Sequence, residues 1–178
     1  GQLADLVNEI KKRASRNERT LAMAISKRDA EDLATFLGKE GVLATFIHCD
    51  LTTHERSNAI RSLQNGEVDC LVGINLLREG LDLPQVSLVA ILNADSAGLF
   101  RSHTALLQTI GRAARNSNGA AIFYADRITY SMQKTIEDTK RRREKQLAYN
   151  EAIGCKPIST EGSTMMSIFD LLRDEIKD

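Results

Sequence analysis

The sequence contains no G-x-x-x-x-G-K-[ST] run, so it offers no loop that cradles a triphosphate and no lysine set to reach one. It has no excess charge either. Its 24 Lys and Arg stand against 24 Asp and Glu, which excludes attraction to nucleic acid by bulk field and leaves only local patches. Three cysteines, Cys49, Cys70 and Cys155, are widely spaced and form no C-x-x-C. That pattern argues against a disulfide framework or a zinc site and is expected of reduced thiols in a cytoplasmic protein. No apolar run nears the ~20 residues that a bilayer span requires, and Gly1–Asp5 has neither the basic nor the apolar part of a secretory signal. Tryptophan is absent and aromatics make up 4%, so no platform of spaced aromatics for stacking bases is legible. Phe36, Phe46, Phe123 and Tyr124 are expected in the core. A first residue of Gly rather than Met is expected of a piece of something longer.

What is present is an ordinary globular composition, 42% apolar and 27% charged, in a length suited to one domain. Leu3, Leu6, Val7 and Ile10 mark an amphipathic opening helix. Strand-like and helical stretches then alternate. Thr20–Ile25 reads as a short apolar strand and Ala44–His48 as a strand, while Asp69–Val72, Ser87–Leu92 and Ala120–Tyr124 are continuous apolar runs of the kind found in strands buried on both faces. Arg28–Leu37 and Thr52–Leu63 read as helices, the first punctuated by Gly38 and Gly41, the second by Asn65-Gly66. A longer helix is expected from about Thr129 to Asn150. This alternation predicts an α/β fold, a parallel sheet with helices on both faces, whose ligands gather at the carboxyl ends of the strands. The pattern breaks near Cys155. Residues 1–157 are expected to form the domain, and 158–178 a loop with a short amphipathic tail bearing Ile168, Leu171, Leu172 and Ile176.

Two segments carry chemistry. In Leu107–Asn116, Gln108, Arg112 and Arg115 recur at i, i+4 and i+7, one face of a helix, with Leu107, Ile110 and Ala114 on an apolar face. Two guanidinium forks a turn apart suit bidentate recognition of phosphate oxygens as charge develops on a transferred phosphoryl group. Taken alone, R-x-x-R is also what a solvated surface helix carries. The second segment, Val72–Pro84, follows a strand. Gly80 permits a tight turn or close approach, Asp82 offers an acceptor for a ribose hydroxyl, and Pro84 stops a central strand. Alone, G-x-D-x-P is a common loop. Lys140-Arg141-Arg142-Arg143 is a basic run that suits DNA phosphates or, with Glu137 and Glu144, a solvated helix face. His48 and His103 are expected to be structural, with Ser102 or Thr104 capping the helix that His103 begins.

The order of these segments, a Gly-x-Asp loop, a strand, then Q-x-x-x-R-x-x-R, resembles motifs V and VI of the second RecA-like lobe of superfamily 2 helicases. Closer still, N-L-L-R-E-G-L-D, V-S-L-V-A-I-L, F-R-S, Q-T-I-G-R-A-A-R-N and T-K-R-R-R-E-K-Q are similar to the UvrB family of bacterial excision-nuclease subunits. N-E-R-T-L at 17–21, A-E-D-L at 30–33, the His48 segment to Arg56 and G-E-V-D-C-L-V-G at 66–73 agree. The resemblance runs from Gly1 to about Pro157. Asn93 departs from the family's usual Asp, Leu99-Phe100 reverses the usual order, and Cys49 replaces a Ser.

The resemblance implies a RecA-like lobe of P-loop-NTPase type without a Walker A loop, the second of two. Arg112 and Arg115 would act on ATP held with Mg²⁺ mainly by an N-terminal lobe. Gly80, Asp82 and Gln108 would complete the nucleotide contacts, with Gln108 linking nucleotide to lobe closure. Damaged duplex DNA, the N-terminal lobe and UvrA- and UvrC-type subunits are the implied partners, and Arg141, Arg142 and Arg143 the candidate DNA contacts. Alone, the chain is expected to be catalytically silent. Two other readings stand beside this one: the equivalent lobe of another superfamily 2 translocase, such as a transcription–repair coupling factor, and a docking module without catalysis.

Overall fold

The computed structural model describes residues 2–74, 83–98, 101–111 and 119–152, with side chains as far as Arg142. The chain runs α1 (Gln2–Ala14), β1 (Arg19–Met23), α2 (Lys27–Lys39), β2 (Ala44–Ile47), α3 (Thr53–Gln64) and β3 (Cys70–Gly73). It continues with β4 (Val86–Ile91), α4 (His103–Gly111), β5 (Ala120–Phe123) and α5 (Tyr130–Ala152). The five strands form one sheet in the order β2-β3-β1-β4-β5, and every pairing is parallel. Parallel neighbours need a crossover over one face, and right-handed crossovers place helices according to the direction of travel. The chain moves one way to β2 through α2, then returns through α3 and passes β1 to reach β4 and β5.

Two cores follow, one on each face. Because side chains alternate along a strand, Leu21, Met23, Leu71, Val89, Ile91, Ala121 and Phe123 face α3, α4 and α5, meeting Ala59, Leu63, Leu106, Ile110 and Met132. Ala22, Cys70, Val72, Leu88, Ala90, Ala120 and Ile122 face α1 and α2, meeting Leu6, Val7, Ile10, Ala30, Leu33 and Leu37. β1, β3, β4 and β5 are buried along their whole length, which is why they read as unbroken apolar runs. The edge strand β2 is only half-buried until Ile47.

Local signals set the helix ends. Ser26 Oγ accepts from the Asp29 amide and caps α2, and Thr52 does the same for α3 through the Glu55 amide. The first glycine of the α2 stop is displaced from its expected role: Gly38 lies inside the helix, and Gly41, at φ +83°, follows its end. Phe123 and Tyr124 are fully buried, the latter donating its hydroxyl to Asp5 at 2.7 Å. Phe36 and Phe46 lie half-buried against the α1–α2 face. No helix among the described residues is long and apolar enough to cross a membrane. The chain from 153 onward, including the loop and tail, lies outside the described residues.

Candidate functional site

The carboxyl edge of the sheet is organised by a buried arginine. Arg101 Nη2 donates to the carbonyls of Met23, at the end of β1, and Leu92, just past β4, at 3.2 and 2.9 Å. Its Nε reaches the Leu92 carbonyl as well, at 3.2 Å. Burial pulls this guanidinium down to about 10, which leaves it charged at neutral pH. Arg101 thus ties the loop after β4 to the ends of β1 and β4 and sets where α4 begins. Sequence reasoning quoted it only within F-R-S. The signal available was an arginine immediately before a helix cap in a largely apolar stretch.

From this anchor α4 is built as expected in outline. Ser102 Oγ accepts from the Ala105 amide at 3.3 Å, the predicted cap, and Thr109 donates back to the Ala105 carbonyl at 2.7 Å. Gln108 is exposed, on the side away from the core. The apolar face differs from the expected one. Leu106, Thr109 and Ile110 are buried and Leu107 is only half-buried. Leu106 and Ile110, four apart, meet the sheet and Met132, so Ile110 is buried as expected and Leu106 takes the place expected of Leu107. α4 starts at the carboxyl edge, beside Arg101.

The loop after β3 does leave from the carboxyl edge, where the Gly73 carbonyl accepts from the Ala24 amide at 2.8 Å. Gly80, Asp82, Arg112 and Arg115 lie outside the described residues. The basic run of α5 is described through Arg142: Lys140, Arg141 and Arg142 are exposed, while the Arg143 side chain lies outside. Arg141 is ion-paired with Asp138, a residue the sequence reading passed over in favour of Glu137 and Glu144.

Both histidines have structural partners. The His48 ring accepts from the Asp50 amide through Nδ1 at 3.2 Å, so Nε2 is the nitrogen that donates to Glu31, at 2.9 Å. Phe46 stacks on the same ring with centroids 5.3 Å apart. His103 meets Asp138 at 2.6 Å. Beside His48, Lys27 at the start of α2 pairs with Asp50, and this hydrogen bond raises the lysine and lowers the carboxyl from their ordinary values. Arg56 reaches the Cys49 carbonyl at 3.4 Å. Cys49 is exposed, whereas burial pushes the Cys70 thiol far up and keeps it protonated. Among the described residues no group of three His, Cys, Asp or Glu is placed to hold a metal ion.

Residues 1–117 match the helicase conserved C-terminal domain family, and residues 123–163 match the family described as ultra-violet resistance protein B. Over 156 residues the chain is 58% identical to UvrABC system protein B of Pasteurella multocida, covering 88% of this chain and 23% of that protein. The same protein from Corynebacterium diphtheriae is 55% identical over 157 residues, with the same coverage. The chain therefore spans about a quarter of the length of these relatives. Among solved structures, the E. coli DEAD-box protein SrmB, bound to regulator of ribonuclease activity A, superposes with a TM-score of 0.59 at 25% identity. That match covers 77% of this chain and 78% of the other. The S. cerevisiae Dbp5 C-terminal domain, bound to Gle1 and IP6, gives 0.58 at 20% identity, covering 97% and 94%, and shares the fold.

Proposed function

The chain belongs to the helicase conserved C-terminal domain family, in its UvrB-type form, and from that premise we propose that it supplies arginines to ATP held by an N-terminal lobe during bacterial nucleotide excision repair. One observation carries the reading. α4 starts from an edge pinned by Arg101, presents Gln108 to solvent, and leads by one peptide bond into Arg112 and, three residues on, Arg115. A helix rooted in the core is a rigid mount, and rigidity is what positions charge before a reaction rather than during it.

In this reading Arg112 and Arg115 fork onto the terminal phosphate oxygens from across the interlobe cleft, where negative charge grows as the phosphoryl group departs. Gln108 senses the same phosphates and ties them to lobe closure. Gly80 allows the loop after β3 to approach the nucleotide, and Asp82 accepts from the ribose. Mg²⁺, when bound, neutralises phosphate charge and is held mainly by the N-terminal lobe. The exposed Arg141 and Arg142, with Arg143, meet DNA through its backbone. UvrA- and UvrC-type subunits act on the same DNA, and the setting is the cytoplasm. A docking module lacks any use for a rooted helix followed in sequence by two arginines three residues apart, so the ATPase reading is preferred.

The test joins this chain to a UvrB-type first lobe and measures ATP turnover with and without damaged duplex DNA, beside an Arg115→Ala version. We expect DNA-stimulated hydrolysis in the parent and a loss of roughly 10³-fold or more in the variant, the scale of arginine contributions to phosphoryl transfer. Hydrolysis that survives the substitution, or a well-folded parent without turnover, would overturn the proposal.

A further inference from the structure

Asp138 divides one carboxylate between two helices. His103, the first residue of α4, donates from Nε2 to Oδ2 at 2.6 Å, while Oδ1 is ion-paired with Arg141 Nη2 one turn further along α5. The Asp138 side chain is only 14% exposed, His103 25% and Arg141 63%, so the carboxylate is enclosed and the arginine alone extends into solvent. The anion also lies beside the start of α4, the positive end of that helix. α4 is nine residues long and is held to the core by Leu106, Thr109 and Ile110. At its first turn the His103–Asp138 contact ties α4 to α5 through side chains.

That arrangement joins the two arginine groups of the chain. We propose that Asp138 is a positioning residue that couples phosphate contact at Arg141 on α5 to the placement of α4 and of the arginines that follow it. The inference rests on the reading of the chain as an ATPase lobe that contacts DNA. A DNA phosphate that draws Arg141 away leaves the carboxylate to His103 alone, tightening the tie on α4. A tighter His103 contact in turn loosens the hold on Arg141 and favours the phosphate. Such coupling is reciprocal by thermodynamic necessity.

The test uses the protein carrying both lobes, measuring turnover with and without duplex DNA and the KM for ATP in each case. Asp138→Asn is expected to lower the ratio of stimulated to unstimulated turnover roughly fivefold or more, the lower end of measured couplings between sites. The KM for ATP is expected to stay within about twofold, since the residue touches no nucleotide. His103→Gln is expected to give the same loss, and the double variant no more than either alone, because both remove one shared contact. Glu137→Gln, whose partner is Gln133 on its own helix, is expected to leave the ratio unchanged. An unchanged ratio in Asp138→Asn, or losses that multiply in the double variant, overturns the coupling and leaves the ATPase reading standing. A parent without turnover overturns both. Should Asp138→Asn fail to fold, the same cycle run between His103→Gln and the exposed Arg141→Gln decides the matter.

Discussion

The two edges of the sheet and the outer face of α5 use the same residue to opposite ends. At the amino edge, Arg13 Nη1 donates to the Ser87 carbonyl and hydroxyl at 3.2 and 3.3 Å. Arg19 donates to the Leu63 and Glu18 carbonyls, each at 3.2 Å, and to Asn17 Oδ1 at 3.0 Å. At the carboxyl edge Arg101 does the same for Met23 and Leu92. All three are buried, and each gives donors to main-chain oxygens near the ends of elements. On α5, by contrast, Arg141 and Arg142 lie exposed. A guanidinium is available to a ligand only where the fold has not already given its donors to carbonyls. Arginine in a motif is therefore a question about burial before it is one about chemistry.

The contrast can be broken most sharply at the amino edge. Arg19→Met removes the donors from two buried carbonyls and is expected to lower stability by about 2–4 kcal/mol, measured by urea unfolding. A loss below about 1 kcal/mol would mean that water or a neighbour satisfies those carbonyls. Gly66 sharpens the same point. It sits at φ +79°, and an added Cβ would press on Arg19 Nη2, which is pinned by its hydrogen bonds. Gly66→Ala is expected to lower stability by about 1–3 kcal/mol through backbone strain and displacement of that guanidinium. Combined with Arg19→Met the two losses should fall short of their sum, since they act on one contact. Full additivity in urea titrations would assign the glycine effect to the backbone alone.

The smallest stability effect belongs to the outer face. Arg142→Gln is expected to change unfolding free energy by less than about 0.5 kcal/mol. In the protein carrying both lobes it should weaken duplex binding uniformly across sequences and reduce the salt slope by about one. An unaltered slope would assign Arg142 to a solvated face rather than to DNA.

Legibility followed the reach of each interaction. The five strands and the helices between them were evident because a sheet buried on both faces demands apolar runs, and crossover helices demand periodicity. Ser102 was readable as a cap because a cap acts over three residues. Gln108 was readable as exposed because it opposes an apolar stripe, in which Ile110 was placed correctly and Leu106 rather than Leu107 joins it. Arg101 and Asp138 were not singled out. Arg101 acts on Met23, seventy-eight positions away, and Asp138 on His103, thirty-five positions away. No local pattern records such distances.

The sequence by itself determined the fold class and the family, because periodicity and motif spacing are local properties of a chain. Tertiary structure alone decided which arginines are held as braces and which remain exposed, and that one aspartate would serve two helices. Those outcomes depend on the crossing of distant elements, where burial takes up hydrogen-bond donors that composition and spacing leave open.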